Sequence, residues 1–146
     1  MKVYLVAGEP SGDKLGAELM AGLKSCAPYE LDFCGVGGFL MEEQGLTSLF
    51  PISEIAVMGI GEILAKYSFL KKRIKNTVDD ILRLKPDVLI TIDAPEFSLR
   101  VAKMVRKKLF INTVHYVAPT VWAWRPNRVK KISSYVDHIL ALFPFE

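Results

Sequence analysis

Residues 88–98 read VLITIDAPEFS, an apolar run that ends on an acid and is followed at once by a proline-containing turn. Consecutive apolar and β-branched residues are typical of a strand that is buried on both faces of a parallel sheet. Asp93 follows the run directly, and Glu96 comes three residues later. An ionised carboxylate at the end of a buried strand costs free energy unless it is paired or lies in a solvated cleft. The stretch therefore predicts a parallel sheet with a polar site at its carboxyl edge.

Short β-rich runs alternate with longer helical patterns along the rest of the chain. This alternation predicts a doubly wound, mostly parallel α/β sheet with helices on both faces, which is a Rossmann-like fold. The predicted strands are Lys2–Ala7, Leu31–Val36, Val88–Ile92, Phe110–Val117 and Val136–Leu142, and the predicted helices are Asp13–Cys26, Phe39–Gln44, Ile60–Leu84, Phe97–Lys108 and Pro126–Ser133. Ligands of such sheets gather at the carboxyl ends of the strands, which here fall at Glu9, Gly35, Asp93 and His115.

Composition limits the class of protein. The 146 residues are 51% hydrophobic and 24% charged, which fits one domain with a substantial core. A net charge of +3 is too small to predict nucleic-acid binding. The two cysteines provide no disulfide framework, which favours a reducing, cytosolic setting, and without a metal-ligand cluster no metal or other cofactor is expected. The short N-terminal apolar run does not resemble a signal peptide, and no stretch is long enough to span a membrane.

The stretch AGEPSGD, residues 7–13, joins the first predicted strand to the first helix. It is neither a dinucleotide fingerprint nor a phosphate-binding P-loop, and its two acids would repel a phosphate. Carboxylates and a hydroxyl suit the hydroxyl groups of a sugar, so Glu9, Ser11 and Asp13 are predicted substrate-binding residues. The alternative is a turn with a helix cap, which would explain Ser11 and Asp13 but not Glu9.

Asp93 and His115 are the candidate catalytic residues. A carboxylate at the carboxyl edge of a parallel sheet is placed to act as a general base. The alternative is that Asp93 caps the helix that begins near Phe97. Histidine has an ordinary pKa near neutral, so His115, at the end of another predicted strand, is expected to titrate in that range.

The stretch VHYVAPTVWAWRPNR, residues 114–128, places two tryptophans beside arginines. Aromatic faces stack on sugar rings, and the guanidinium fork matches phosphate. Trp122, Trp124 and Arg125 are therefore predicted to bind substrate. The alternative is a tryptophan that packs in the core, next to a solvated helix start.

The stretch VMGIGEILAKYSFLKKRIK, residues 57–75, combines apolar residues with a run of basic ones. This pattern suits a membrane interface rich in anionic lipid, although an ordinary amphipathic helix with a solvated basic face shows the same pattern. The predicted membrane and acyl-chain contacts are Val57, Met58, Ile60, Ile63, Leu64, Lys71, Lys72 and Arg73.

Four stretches together resemble lipid-A-disaccharide synthase, a family of inverting glycosyltransferases of Gram-negative bacteria with the GT-B fold. They are VAGEPSGD (6–13), AVMGIGEIL (56–64), KPDVLITIDAPEF (85–97) and HYVAPTVWAWRPNRVKKI (115–132). The resemblance runs from residue 6 to residue 146 with the spacing of the motifs intact.

The resemblance implies a reaction, a place and a set of residues. The family transfers 2,3-diacylglucosamine from its UDP derivative to 2,3-diacylglucosamine 1-phosphate, giving lipid A disaccharide 1-phosphate and UDP. It works in the cytoplasm as a peripheral protein on the inner face of the inner membrane, whose surface lipids are partners. The family's essential aspartate, in its IDAPDF motif, matches Asp93, while Glu96 replaces the second acid and its role stays open. Residues 57–75 resemble the family's membrane and acyl-chain surface.

An inverting transfer requires a base that removes a proton from the attacking hydroxyl, and Asp93 is the first choice, with His115 second. The family is more than about twice as long as this chain, which has the usual size of one domain. Residues 1–146 are thus expected to be a truncated, acceptor-side N-terminal domain without the C-terminal UDP-binding domain, and inactive alone. One alternative is a sugar-nucleotide epimerase or hydrolase, although the sequence shows neither a catalytic nucleophile nor a dinucleotide fingerprint. The other is an inactive remnant that only binds lipid or a membrane surface.

Overall fold

Six strands form one sheet in which every neighbouring pair is parallel, in the order β3-β2-β1-β4-β5-β6. The fold is seen in a computed structural model that describes residues 1–56, 63–118 and 131–142, and the side chains of all of these except residues 56 and 63–66. The strands are β1 (Lys2–Ala7), β2 (Asp32–Val36), β3 (Thr47–Ser48), β4 (Val88–Ile92), β5 (Asn112–Tyr116) and β6 (His138–Leu140). The predicted parallel sheet is confirmed.

Helices cover both faces of the sheet. They are α1 (Pro10–Cys26), α2 (Phe39–Glu43), α3 (Ser53–Ala56), α4 (Ile63–Leu84) and α5 (Ser98–Arg106). On one face, α4 and α5 pack on a core that includes Tyr4 and Leu89. On the other, Met20 of α1 and Met41 of α2 pack on Leu5 and other strand residues. The doubly wound arrangement predicted from the alternation of elements is therefore confirmed.

The two central strands, β1 and β4, align the loops that follow them. Val3 lies opposite Val88, and Ala7 lies opposite Ile92, so both strands end at the same level of the sheet. β5 continues the register, with Tyr116 opposite Ile92. The segments that follow these three strands consequently meet at one edge.

The observed elements differ from the predicted ones mainly at their ends. α1 begins at Pro10 rather than Asp13, because proline fits the first helical turn, where its missing N–H is not needed. The short β3 and α3 were not predicted, since two and four residues are too few to show a period. β6 has three residues, all exposed, where a longer strand was predicted. Most of the predicted helix Pro126–Ser133 lies outside the described residues.

The long helix α4 leaves the core towards its N-terminus. Ile74, Val78 and Ile81 are buried, as their spacing predicts. Tyr67, nearer the N-terminus of the same helix, is 46% exposed. The later turns of α4 are therefore packed in the core, whereas the ring of Tyr67 is partly open to solvent.

Candidate active site

A pocket of about 260 Å³ lies at the carboxyl edge of β1 and β4. The loop after β1 contributes Gly8 and Glu9, and the loop after β4 contributes the stretch from Ala94 to Phe97. Ile55 of α3 and Leu70 of α4 complete the lining. The pocket thus combines two exposed carboxylates, Glu9 and Glu96, with apolar walls.

The two loops that form the pocket touch at Gly8. A β-carbon at this position would lie 2.7 Å from the β-carbon of Ala94, which is closer than two carbons can approach. Glycine is therefore required for the β1 loop to pass the β4 loop at this distance. Any larger residue would push Glu9 and Asp93 apart.

The loop after β4 has a strained backbone. Asp93 and Ala94 have φ angles of 45° and 44°, in the left-handed region that L-residues seldom adopt. The Asp93 amide donates to the carbonyl of Tyr116 at 3.0 Å, and the Ser98 hydroxyl donates to the carbonyls of Asp93 and, at 2.9 Å, Ala94. Because such strain persists only when its surroundings impose it, and clusters at functional sites, the loop is a candidate for chemistry.

The carboxylate of Asp93 is half-buried at the start of this loop. Within the described ranges it accepts no hydrogen bond. The residue at the N-cap of α5 is Phe97, with no side-chain cap bond, and the helix begins at Ser98. The alternative prediction, that Asp93 caps this helix, is therefore wrong. Its role as a base stays a prediction.

His115 is fully buried beside β4. Its Nδ1 lies 2.8 Å from the Thr91 hydroxyl, and the tautomer of the ring determines which of the two donates. The same hydroxyl lies 3.3 Å from the carbonyl of Val114, and Nε2 has no partner among the described residues. Burial lowers the pKa of His115 to about 4, although the charge of Asp93 acts in the opposite direction. The ring is thus neutral at pH 7, and its role as a second base stays a prediction.

The buried His115 is expected to make stability depend on pH. Its ordinary pKa of 6.5 falls to about 4 on folding, so the unfolded chain binds the proton first as the pH decreases. The neutral His115 ring therefore contributes about 3 kcal/mol to the free energy of unfolding. This contribution is complete above pH 6.5 and is lost as the pH falls to about 4. Urea unfolding of the chain and of His115→Asn, measured from pH 7 to pH 4, tests this.

The variant should be less stable at pH 7 but should lose about 3 kcal/mol less than the parent chain on acidification. His138→Gln is the matched control, because His138 lies exposed in β6. Parallel pH profiles of the parent and His115→Asn would contradict the assignment.

The predicted substrate-binding residues of the β1 loop have different surroundings. Glu9 is the N-cap residue of α1 but makes no side-chain cap bond, and it lines the pocket. Ser11 is exposed within the first turn. The alternative prediction of a cap for α1 by Ser11 or Asp13 is therefore wrong. Substrate binding by Glu9 and Ser11 stays a prediction.

Asp13 binds the N-terminus of a different helix. Its Oδ1 accepts hydrogen bonds from the amides of Gly38 (2.9 Å) and Met41 (3.1 Å), and its Oδ2 from that of Leu40 (3.1 Å). The side chain is buried, and a β-carbon on Gly38 would lie 2.5 Å from Oδ2. Asp13 thus joins α1 to α2 with a charge-assisted cap. Its predicted contact with substrate stays untested, and its carboxylate already has three donors.

The basic residues of α4 fall into two groups. Lys71 and Lys72 are exposed. Arg73 is instead ion-paired with Glu54, and its guanidinium lies 4.8 Å from the Phe50 ring centroid and 5.0 Å from that of Phe69. Arg73 therefore packs within the protein, whereas the two lysines face solvent.

Several predicted site residues cannot be placed. Val57, Met58, Ile60, Trp122, Trp124 and Arg125 lie outside the described residues, and Ile63 and Leu64 are placed only by their helical backbone. Across the ranges that the structure does describe, no group of histidine, cysteine, aspartate and glutamate is arranged to hold a metal ion. In the same part of the chain, none of the helices has the length and apolar character needed to cross a bilayer.

Three residues that support the site were not predicted. Thr91 binds His115, Ser98 holds the strained loop, and Arg100 pairs with Glu96 at 2.6 Å. A weak signal exists for Thr91, which is the one polar residue in the apolar run VLITI. Ser98 and Arg100 carry no such signal, because a serine or arginine near a helix start is common.

The family model of lipid-A-disaccharide synthetase matches residues 3–146. The chain belongs to the lipid-A-disaccharide synthetase family. The resemblance drawn from the four sequence stretches is thereby confirmed.

Relatives within the synthetase family are considerably longer than this chain. A lipid-A-disaccharide synthase from Ruegeria pomeroyi is 56% identical over 146 residues, which is 100% of this chain and 36% of that protein. One from Idiomarina loihiensis is 49% identical over 145 residues, which is 99% of this chain and 38% of that protein. The chain thus spans a little over a third of the length of these curated relatives.

A solved structure shares the fold. UDP-GlcNAc 2-epimerase from Neisseria meningitidis, bound to UDP-GlcNAc, matches with a TM-score of 0.59 over 97% of this chain and 40% of that chain. The sequences are 14% identical, so the likeness concerns the fold alone. This likeness confirms the predicted Rossmann-like half of a GT-B architecture. It does not support the alternative of an epimerase, because the family model that matches is that of the synthetases.

Proposed function

We propose that this chain is the acceptor-side part of a lipid-A-disaccharide synthase. The whole enzyme would transfer 2,3-diacylglucosamine from its UDP derivative to 2,3-diacylglucosamine 1-phosphate, with UDP as the leaving group. The observation that carries the proposal is the family match over residues 3–146. The pocket at the carboxyl edge, with Asp93 at its side, is where such a fold binds its ligands.

Asp93 is the proposed general base of the transfer. It would remove the proton from the acceptor hydroxyl as that oxygen attacks the anomeric carbon of the donor sugar and UDP departs. Three features support this role: its half-buried carboxylate accepts no hydrogen bond in the described part of the chain, its loop is strained, and the pocket begins one residue later at Ala94. Fixing the base on a strained loop reduces the reorganisation that the reaction requires.

Residues 1–146 are proposed to form one domain that needs a second one. The chain covers 36% of its relative from Ruegeria pomeroyi, so about two thirds of such a protein lies beyond the matched part. In a two-domain glycosyltransferase of this fold, the second domain would bind most of the UDP. The chain alone is therefore proposed to be inactive.

A chimera tests the proposed function. Residues 1–146 are joined to the part of the Ruegeria pomeroyi synthase that lies beyond the matched region, and formation of disaccharide 1-phosphate is measured from the two diacylated substrates. The chimera is expected to turn over, and the 146-residue chain is not, because the domain proposed to bind most of the UDP lies beyond the part of the relative that this chain matches. The relative itself serves as the positive control. A folded chimera without transfer activity would contradict the function, and turnover by the chain alone would contradict its dependence on a second domain.

The location proposed for the protein is the cytoplasmic face of the inner membrane, with lipids of that surface as partners. The exposed side chains of Tyr67, Phe69, Lys71, Lys72 and Lys75 support it, because aromatic and basic residues together suit an anionic interface. Pelleting with phosphatidylglycerol vesicles tests this proposal. The double variant Lys72→Glu, Lys75→Glu should pellet less than the parent chain, and equal pelleting would reject the membrane surface on α4. Vesicle binding by a chimera without turnover would instead favour a lipid-binding remnant.

A further inference from the structure

Two cations lie against one exposed aromatic ring next to the pocket. The Nζ of Lys71 is 4.4 Å from the centroid of the Tyr67 ring, and the guanidinium carbon of Arg100 is 6.0 Å from the same centroid. Tyr67 is 46% exposed, so the ring does not belong to the core that α4 covers. These three residues are called the Tyr67 cluster below. Tyr67 and Lys71 belong to α4, and Arg100 belongs to α5.

The Tyr67 cluster adjoins the pocket on two sides. Leu70, which precedes Lys71 in α4, lines the pocket. Glu96, whose carboxylate is 2.6 Å from the guanidinium of Arg100, lines it as well. Both cations therefore lie at the edge of the pocket rather than inside it.

The positive charge of the Tyr67 cluster is incompletely neutralised. Glu96 is the partner of Arg100, and Lys71 has no ion pair within the described ranges. The side chains of Arg100 and Glu96 are 42% and 68% exposed. A pair this exposed contributes only about 0–1 kcal/mol, so a stronger anion can take the place of Glu96 at little cost.

We propose that the Tyr67 cluster binds the phosphate of an acylated phosphosugar while the sugar ring enters the pocket; this rests on the proposed function. A guanidinium fork and an ammonium group together match the geometry and charge of a phosphate monoester. Inside the pocket, the carboxylates of Glu9 and Glu96 repel phosphate and accept hydrogen bonds from sugar hydroxyls. The positive charge of the Tyr67 cluster and the negative charge of the pocket therefore orient the ligand. Its phosphate lies at the edge of the pocket and its hydroxyl groups lie inside.

The size of the pocket agrees with a sugar ring inside it and a phosphate at its edge. Its volume of about 260 Å³ is below the roughly 300–1,000 Å³ of pockets that enclose a drug-sized ligand. It can hold a single sugar ring against Ile55 and Phe97 but not two complete acyl chains. The phosphate and most of each chain must then lie outside, where the Tyr67 cluster and the exposed side of α4 are available.

Calorimetry with two soluble probes tests the phosphate site on the 146-residue chain. The probes are 2,3-diacylglucosamine 1-phosphate with short acyl chains and the same sugar without phosphate. The parent chain is expected to bind the phosphorylated probe more tightly. Arg100→Gln and Lys71→Gln should each weaken that binding about tenfold and leave the unphosphorylated probe unchanged, because each removes one charge-assisted contact. Arg100→Lys should lose less affinity for the phosphorylated probe than Arg100→Gln, since lysine keeps the positive charge but not the guanidinium fork.

Lys103→Gln is the matched control, because Lys103 is an exposed cation on the same helix as Arg100. Its affinity for both probes should equal that of the parent chain. Equal affinity of the parent chain for the two probes, or no measurable binding of the phosphorylated one, would overturn the proposal. Parent-like binding by Arg100→Gln would overturn it too.

A vesicle experiment distinguishes binding of a phosphosugar from binding of a lipid headgroup. Arg100→Gln should bind phosphatidylglycerol vesicles as the parent chain does. If the variant lost vesicle binding but kept its affinity for the phosphorylated probe, the cluster would bind a lipid headgroup and the proposal would be overturned. Turnover by the chimera without any effect of the phosphate on binding would reject the phosphate site and leave the proposed function standing.

Discussion

Asp93→Asn in the chimera is expected to lower kcat by about 100- to 10,000-fold, the usual contribution of a general base. Asparagine keeps the size of the side chain but cannot accept the proton of the attacking hydroxyl. It also tolerates the φ angle of 45° that Asp93 adopts, so the loop and its hydrogen bonds to Tyr116 and Ser98 should persist. Turnover of the two diacylated substrates, at saturating concentrations, measures the effect.

The KM values distinguish loss of the base from loss of binding. If Asp93 acts only on the proton, KM for both substrates should change far less than kcat. Asp32→Asn is the matched control, since Asp32 is an exposed carboxylate at the start of β2, at the edge of the sheet opposite to Asp93. A value of kcat for Asp93→Asn equal to that of the control would remove Asp93 from the reaction.

Asp13→Ala is expected to reduce the free energy of unfolding by about 4 kcal/mol. The substitution leaves the amides of Gly38, Leu40 and Met41 without their acceptor, and the bonds of Gly38 and Met41 are buried. Each buried donor left unsatisfied costs about 1–3 kcal/mol. Since a domain of this size is stable by only about 5–15 kcal/mol, the variant should unfold at a markedly lower urea concentration.

Two further variants define the role of the Asp13 carboxylate. Glu18→Ala changes an exposed acid of the same helix and should alter stability by no more than about 0.5 kcal/mol. Asp13→Asn should lie between, because its oxygen can still accept from two amides while its NH₂ group faces the third. If Asp13→Ala were no less stable than Glu18→Ala, the cap on α2 would contribute nothing measurable.

Three residues fix the loops and helices at the carboxyl edge of the sheet. Asp13 fixes α2 against α1, Ser98 fixes the loop after β4, and Gly8 lets the loops after β1 and β4 meet. The half-buried Asp93 lies at this edge, directly after β4. Rigid support of this kind is what a base requires if it is to act without reorganisation.

Four acids from two of the sequence stretches have different surroundings that only contacts reveal. Asp13 and Glu9 are four residues apart in one motif, yet one is buried against three amides and the other is exposed at the pocket. Glu96 is three residues from Asp93 and pairs with Arg100. The sequence alone left a cap as an alternative for Asp93, and only the start of α5 at Ser98 excludes it.

Short-range patterns were sufficient for the sheet. Apolar, β-branched runs such as VLITI, separated by helical periods, determine parallel strands with helices on both faces, because no other arrangement buries them. The motifs also sufficed for the family, which the match over residues 3–146 confirms. The position of Asp93 at a strand end follows from the sequence in the same way.

Tertiary structure decided which side chains meet. The three amide partners of Asp13 are 25 to 28 residues away, and the hydroxyl partner of His115 is 24 residues away. The Tyr67 ring meets Arg100, 33 residues away, only because α4 and α5 pack beside each other. Local periodicity contains no information about such distant contacts, since they arise from the order and register of the strands. The sequence therefore determined the fold, the family and the candidate base, and packing between distant segments decided the surroundings that each acid and base experiences.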